Sequence, residues 1–310
     1  MIIRFGIDLA KSSFAVCGVD KHEHIVLRKT LNRKQLLEFF ANQPPALVAM
    51  EAGSGAHHRA RELQSLGHDA RIIDPRLVSP YRQQGRTGKN DANDAAAVCE
   101  AAARPSMSFV PIKNPEQQAI LMVHRRRRSI VADHSRTANQ IRGFLAEFGV
   151  VVPKGVQVLK QRWPELRRQF ADQLPGLAWQ ELDALYARLR ELHLQTLAYD
   201  RQIKAFVKAD KRAQRLSTIN AIGPITASAI VATIGNAREF KNGRQLAAWI
   251  GLTPRQYSTG GKPRLGRISK RGDPYLRTLL VHGARSELMH TPRRTDGKSK
   301  WAENLKARTS

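Results

Sequence analysis

The chain has 310 residues, and its 52 lysines and arginines outnumber its 26 aspartates and glutamates, which gives a net charge of +26. So large an excess of one sign predicts a polyanionic partner, most simply nucleic acid. No apolar run approaches the roughly 20 residues of a membrane span, so we expect no membrane association and a cytoplasmic location. Two cysteines, Cys17 and Cys99, are too few for a disulfide framework or a thiolate metal cage, and we expect both to be small buried side chains.

The first 105 residues alternate short strand-like and helix-like segments. Three strand patterns come first, in "IIRFGIDLA", "FAVCGVD" and "HEHIVLRKTLN". A helix, a strand, a helix and a strand follow, and then the helix that begins at Asp91. The run "ALVAMEA" is continuously apolar, which is typical of a strand covered on both faces. Residues 1–105 are therefore predicted to form a mixed α/β domain.

The rest of the chain is predicted to be mainly helical. A linker over residues 106–125 leads into a helical region over residues 126–212, where apolar residues recur at three- and four-residue steps, as in a coiled coil or an ordinary helical bundle. Residues 213–310 form a third predicted domain. It has a helix-hairpin-helix-like segment around Ile222–Pro224, and then a loop rich in Gly, Lys and Arg between two helices. The polar tail after Met289 is expected to fray.

Four acids of the first domain stand out in so basic a chain. Asp8 lies inside the first apolar strand, and Glu51 ends the buried run "ALVAMEA". Asp91 and Asp94 share one face of a helix because they are three residues apart. Carboxylates are costly to bury unless they are paired or bind a metal, and four of them could hold one or two Mg²⁺ ions for phosphoryl transfer. The alternatives are a helix cap for Asp91, a favourable helix dipole for Asp94 and a simple ion pair for Glu51.

Basic residues cluster in three further places, which we interpret as nucleic-acid contacts. Four consecutive arginines on one helix cannot share a face, so some of them must reach water or a partner. The predicted nucleic-acid-binding residues are Lys89, Arg125, Arg126, Arg127, Arg128, Lys262, Arg264, Arg267, Lys270 and Arg271.

Four motifs together resemble one family over nearly the whole chain. They are "GIDLAK" at 6–11, "AMEAGSGAHH" at 49–58, "GKNDANDA" at 88–95 and "ISKRGDPYLRTLLVHGAR" at 268–285. The sequence resembles the insertion-sequence recombinases of the IS110 family, close to its IS1111 group. The resemblance implies an α/β RuvC-like (RNase H fold) N-terminal domain, a helical coiled-coil middle and a mainly α C-terminal transposase domain. It also places the family's Asp-Glu-Asp-Asp catalytic pattern on the four acids, Asp8, Glu51, Asp91 and Asp94.

The resemblance further implies a catalytic serine nucleophile in the C-terminal domain, in "PRQYSTGGK" at Ser258. A serine on a glycine-rich loop can approach a phosphate closely, and neighbouring cations can balance the charge. Thr259 is the alternative nucleophile, and a plain phosphate-gripping loop is the alternative role for the segment. Ser258 is favoured because its primary hydroxyl is less hindered.

By resemblance, the function is that of an RNA-guided, Mg²⁺-dependent transposase that moves an insertion sequence through a covalent serine–DNA intermediate. The implied partners are double-stranded donor and target DNA, a structured noncoding guide (bridge) RNA, and further copies of the chain in a dimer or tetramer. The implied location is the bacterial cytoplasm, associated with the nucleoid. Two alternatives are a hydrolytic RNase H-fold nuclease, such as a Holliday-junction resolvase, and a non-catalytic nucleic-acid-binding protein.

Overall fold

A computed structural model describes residues 1–82, 91–293 and 296–309 of the chain. The chain divides into two compact units, residues 1–114 and residues 115–310. Lys89, one of the predicted nucleic-acid contacts, lies outside the described residues.

The first unit is built on a six-stranded sheet with the strand order β3-β2-β1-β4-β5-β6. β1 runs antiparallel to β2 and parallel to β4, and β5 runs parallel to β4. This arrangement confirms the mixed α/β prediction and fits a RuvC-like fold. The strands are β1 (Ile2–Leu9), β2 (Ser13–Asp20), β3 (Ile25–Asn32), β4 (Leu47–Glu51), β5 (Asp69–Ile73) and β6 (Phe109–Val110). The helices are α1 (Arg33–Ala41), α2 (Ala56–Ser65), α3 (Pro75–Val78) and α4 (Asp91–Ala102).

Alternation along the strands assigns the two faces of the sheet to different helices. Phe5, Ile7 and Met50 pack in one core cluster with Leu36 of α1 and Leu63 of α2. On the opposite face α4 packs against the sheet, where its alanines meet small residues of β2 and β4. Because side chains two apart on a strand share a face, the residues that alternate with this core lie on the α4 side. Both faces of β4 are thus covered, as its apolar run predicted.

Helix α4 approaches the sheet closely at Gly6 of β1. A Cβ atom at this position would lie 2.2 Å from the carbonyl oxygen of Ala95 and 2.5 Å from the amide nitrogen of Cys99. Both neighbours are backbone atoms of α4, so they cannot move aside as a flexible side chain could. The glycine of the "GIDLAK" motif therefore allows the helix to lie directly on the strand.

The second unit is mostly helical. Its helices are α5 (Pro115–Glu147), α6 (Val156–Gln169), α7 (Gly176–Ala209), α8 (Lys211–Ser217), α9 (Pro224–Ile234), α10 (Gly243–Ile250), α11 (Pro274–His290) and α12 (Gly297–Thr309). Leu182, Leu189 and Leu192 of α7 are buried, so the apolar stripe faces the core. The coiled coil and the helix-hairpin-helix-like character of the α8–α9 turn stay predictions. No helix in the described ranges is long and apolar enough to span a bilayer.

Three local expectations need correction. Residues 106–125, expected as a linker, include β6, which pairs with β5, and the first turns of α5. The loop expected between α10 and α11 contains a hairpin of β7 (Pro254–Gln256) and β8 (Leu265–Ile268), because paired glycines with positive φ turn the chain. The tail expected to fray forms α12. Its start is capped by Asp296, whose side chain accepts hydrogen bonds from the amides of Lys298 and Ser299.

Candidate active site

Two of the four predicted acids lie side by side at the ends of neighbouring parallel strands. The register of β1 and β4 pairs Ile7 with Met50, so the next residues, Asp8 and Glu51, follow at adjacent positions. Ile7 and Met50 belong to the core on the α1–α2 face. Alternation therefore directs Asp8 and Glu51 to the opposite face, where α4 lies.

Helix α4 adds the other two acids. Asp91 is its first residue and is exposed, whereas Asp94, one turn later, is buried with 8% of its surface accessible. The close crossing at Gly6 holds α4 against β1, two positions before Asp8. Asp94 is thereby brought near the strand ends, which are far from it in sequence.

The electrostatics of Glu51 show which charged side chains lie near enough to act on its carboxyl group. Burial raises the pKa of the Glu51 carboxyl, the positive charge of Arg82 opposes that shift, and the negative charges of Asp8 and Asp94 raise the pKa further. Like charges within a few ångströms disfavour a second ionised form, which is the physical cause of the last effect. The structure therefore brings Asp8, Glu51 and Asp94 into one cluster, whereas Asp91 is exposed at the first position of α4.

A cation of the chain itself lies within this cluster. Arg82 follows the short turn Ser79–Tyr81, and its Nη2 atom donates a hydrogen bond of 2.6 Å to Oε1 of Glu51. Its Nε atom lies 3.0 Å from Oδ1 of Asp94. One guanidinium group thus bridges acids from β4 and α4, and it partly offsets their mutual repulsion.

The chemistry of the clustered carboxylates favours a metal ion, whereas their arrangement in this structure does not form a metal site. Carboxylate oxygens are the ligands that hard divalent cations prefer, so the chemistry of these side chains fits such a cation. Within the described residues, however, no group of three or more His, Cys, Asp or Glu side chains is arranged to hold a metal ion. In this arrangement the guanidinium group of Arg82 contacts one oxygen of Glu51 and one oxygen of Asp94.

In the second unit, Ser258 lies next to the turn of the β7–β8 hairpin. Its Oγ atom accepts two hydrogen bonds of 3.0 Å, one from the backbone amide of Arg264 and one from Nε2 of Gln256. Thr259 is exposed and forms a bridge with Lys262 across the turn. Two converging donors fix the Ser258 hydroxyl oxygen in one position, whereas Thr259 helps to close the turn.

The base of the hairpin is anchored to the two flanking helices. The amide of Ser269 donates to the carbonyl oxygen of Thr253 at 2.8 Å, and Arg277 of α11 donates to the carbonyl oxygen of Ile250 at 2.9 Å. A Cβ atom at Gly272 would lie 2.1 Å from the carbonyl oxygen of Trp249, so the two ends of the segment meet backbone to backbone. The hairpin therefore projects from a fixed support while its tip stays accessible.

Comparison with known proteins covers both candidate centres. A family model of the DEDD transposases of IS110, described as a transposase, matches residues 5–149, and a model described as the transposase IS116/IS110/IS902 family matches residues 213–298. A "Probable family 20 transposase" of Pseudomonas aeruginosa is 48% identical over 97% of this chain and 89% of its own length. The chain belongs to the IS110/IS116/IS902 family of transposases. It is therefore a DNA-recombining enzyme that moves an insertion sequence.

Two further relatives of this transposase carry insertion-sequence names. The transposase for insertion sequence element IS1328 of Yersinia enterocolitica is 42% identical over 90% of this chain and 82% of its own length. The transposase for insertion sequence element IS1111A of Coxiella burnetii is 37% identical over 97% of this chain and 82% of its own length. The similarity to these relatives thus covers nearly the whole transposase.

The predicted basic contacts of the transposase fall into two groups. Around the hairpin the cations are all exposed, namely Lys262, Arg264, Arg267, Lys270 and Arg271. On α5, Arg125, Arg126 and Arg128 are exposed, but Arg127 turns inward and its Nε atom lies 2.5 Å from Oδ1 of Asp200 on α7. Arg127 therefore joins α5 to α7. This ion pair is an alternative to its predicted role as a nucleic-acid contact.

Sequence reasoning missed two residues of the transposase's candidate centres, Arg82 and Gln256. Arg82 stands in an aperiodic stretch, 31 positions after Glu51, and nothing in its neighbourhood indicates that it meets the acids. Gln256 lies two residues before Ser258, so its side chain could have been considered once the segment was known to be a strand. The prediction of a loop concealed it.

Proposed function

We propose that this transposase cleaves and rejoins DNA through Ser258, with Mg²⁺ held by Asp8, Glu51, Asp91 and Asp94. The observation that carries the proposal is the convergence of Asp8, Glu51 and Asp94, from two strands and a helix, into one cluster whose charges act on each other. Arg82 supplies one positive charge to these three carboxylates, and their oxygens are the ligand type that a hard divalent cation prefers. Once bound, a divalent cation would polarise a DNA phosphate and stabilise the charge that develops on it.

In the proposed step, the Ser258 hydroxyl gives its proton to solvent and its oxygen bonds to phosphorus. The bond from phosphorus to one deoxyribose oxygen breaks, and that oxygen takes a proton from solvent and leaves as a hydroxyl. Attack by a hydroxyl of another DNA end then reverses the step and restores the serine. The phosphoester count is conserved, so no external energy source is required.

The contacts of Ser258 support its choice over Thr259. The amide of Arg264 and the side chain of Gln256 both donate to its Oγ atom, and such donors stabilise negative charge that develops on this oxygen during attack and departure. The exposed cations around the hairpin would neutralise the phosphates on either side.

Guidance by a structured noncoding RNA fits the charge distribution. A protein whose target is chosen by base pairing needs many backbone contacts and few contacts to base edges. The exposed arginines of α5 and the cations of the hairpin would serve such contacts to RNA and to donor and target DNA.

We further propose a homo-oligomer, a dimer or tetramer assembled through a coiled coil in the helical region, acting at the nucleoid. The acids belong to the predicted domain of residues 1–105, and the serine to that of residues 213–310. In the oligomer these two domains could come from different protomers. Variants defective in Asp8 and in Ser258 should then complement each other when mixed.

The decisive experiment incubates purified protein, Mg²⁺, its cognate RNA and DNA carrying the element ends, and then resolves the products on a denaturing gel. A protein–DNA adduct should form with the wild type and with Thr259→Ala, and should be lost with Ser258→Ala and Asp8→Asn. Cleavage without any adduct that persists in Ser258→Ala would assign the protein to the hydrolytic nucleases. Binding without cleavage by the wild type, unchanged in Asp8→Asn, would assign it to non-catalytic nucleic-acid binders.

A further inference from the structure

The position of Arg82 raises the question of how this transposase could bind a metal at all. Its guanidinium group is shared between Oε1 of Glu51, at 2.6 Å, and Oδ1 of Asp94, at 3.0 Å. The Nε atom is buried and makes no well-aligned hydrogen bond among the described residues, so its contact with Asp94 is ionic. Arg82 is therefore bound tightly to one acid and less ideally to the other.

A guanidinium and a divalent cation cannot use these carboxylate oxygens at the same time. A small dication such as Mg²⁺ requires oxygen ligands at about 2.1 Å, in a nearly octahedral arrangement. An arginine side chain instead holds carboxylate oxygens at hydrogen-bond distance and spreads its charge over a plane.

We propose that Arg82 is a built-in counter-ion that competes with the divalent cation for Glu51 and Asp94. This inference rests on the proposed role of the acids as metal ligands. Arg82 is a positioning residue in this account: it keeps the clustered carboxylates together when no metal is bound, and it must swing away when one binds. The divalent cation can bind only to those molecules in which Arg82 has left the two carboxylates. The apparent affinity of the protein for the cation is therefore reduced in proportion to that fraction of molecules.

The test measures cation binding directly, without nucleic acid. Mn²⁺ is titrated into the full-length protein by calorimetry, and the wild type is compared with Arg82→Gln and Arg82→Lys. Loss of the guanidinium should tighten Mn²⁺ binding by roughly tenfold, as expected when a competing charge-assisted contact is removed. Arg82→Lys, which keeps the charge but lacks the planar fork, should give an intermediate affinity.

A matched control removes an arginine that pairs with an acid elsewhere in the same unit. Arg71→Gln breaks the exposed ion pair on β5 in which Nε of Arg71 lies 2.7 Å from Oδ1 of Asp69. This variant should leave Mn²⁺ binding unchanged. Thermal unfolding supplies a second readout. Arg82→Gln should melt at a lower temperature than the wild type without metal, and should regain more of its stability when Mn²⁺ is added.

The outcomes separate this inference from the proposed function. Equal or weaker Mn²⁺ binding by Arg82→Gln would overturn the competition and leave the metal role of the acids intact. No Mn²⁺ binding by either protein would overturn both the competition and the metal role, while the adduct assay would still decide the role of Ser258. Should Arg82→Gln fail to fold, Arg82→Lys carries the test, and an affinity no tighter than that of the wild type would overturn the proposal.

Discussion

The Nδ1 atom of His124 lies 3.0 Å from the phenol oxygen of Tyr275, and this contact ties α5 to the first turn of α11. The other ring nitrogen of His124 lies 3.0 Å from Oγ of Ser228 on α9. Because the Ser228 hydroxyl donates to the carbonyl oxygen of Pro224, Nε2 must be the protonated nitrogen and Nδ1 accepts from Tyr275. A neutral histidine thus connects three helices and supports the end of the segment that carries Ser258.

This arrangement predicts a loss of stability in acid. Burial lowers the pKa of His124 to about 4, and the charge of Arg127 contributes in the same direction, whereas the ordinary value is 6.5. The unfolded chain takes up a proton near pH 6.5 and the folded chain only near pH 4. The stabilising contribution of neutral His124 to the free energy of unfolding is therefore complete above pH 6.5 and declines as the pH falls to 4. Over this interval it amounts to up to about 3 kcal/mol.

Urea unfolding at several pH values between 4 and 7 checks this prediction. The difference in unfolding free energy between the wild type and His124→Gln should grow as the pH rises over this interval. Glutamine keeps polar atoms at the site but does not titrate, so it isolates the histidine from the other ionisable groups. An identical pH dependence in both proteins would show that His124 is not the titrating group.

Replacing Gly6 by alanine should destabilise the first unit. The new methyl group would collide with backbone atoms of α4, and we expect a cost of about 1–3 kcal/mol as the helix shifts. Gly53→Ala is the matched control, since a Cβ there meets nothing nearer than 3.9 Å. Thermal unfolding should show a lower midpoint for Gly6→Ala alone, and Mn²⁺ titration should show weaker binding because Asp94 moves with the helix.

The arginine run on α5 should separate into two functional classes. Arg125→Ala combined with Arg126→Ala should weaken nucleic-acid binding and reduce the slope of log K against log salt by up to about 2, because two exposed cations are lost. Arg127→Ala should leave that slope unchanged and lower stability by about 1 kcal/mol, because its partly buried pair with Asp200 is broken. Binding measured by fluorescence anisotropy over a salt series, beside urea unfolding, distinguishes the two classes. A steeper loss of binding for Arg127→Ala than for the double variant would contradict this division.

The hydrogen bond from Gln256 to Ser258 should affect the rate of adduct formation. Gln256→Ala removes one of the two donors to Oγ, and we expect a roughly tenfold slower reaction because the hydroxyl is less well positioned and its developing charge less stabilised. Gln256 is exposed, so the unfolding midpoint should not change. Single-turnover kinetics, followed as adduct per unit time, gives the measurement. A variant as fast as the wild type would leave Arg264 as the only donor that matters.

Much of the first unit could be predicted from the sequence because its signals are local and strong. The continuous apolar run before Glu51 and the short strand that contains Asp8 gave the correct elements, and parallel pairing then placed the two acids side by side. The bridge by Arg82 could not be predicted in this way. It depends on the tertiary position of a residue in an aperiodic segment, and no spacing rule connects residues 31 positions apart.

The hairpin that carries Ser258 shows a different limit. Its strands contain only three and four residues, and most of their side chains are exposed, so no alternation of apolar and polar residues marks them. Glycines and cations dominate the segment and indicate a loop. The helix in the tail after Met289 was not predicted for a related reason. Its helix is defined by a single aspartate cap and a few buried small residues such as Ala302 rather than by an apolar stripe.

The crossing at Gly6 also has a meaning for how this enzyme can change over generations. A residue without a functional group sets how far the helix with Asp94 stands from the strand with Asp8. A copy of the gene that encodes alanine at position 6 would keep every acid and every cation. The added methyl group would nevertheless change the spacing between them. An inactive copy of such an element can therefore retain all of its proposed catalytic residues. Its defect would lie only in the distance between the backbones of α4 and β1.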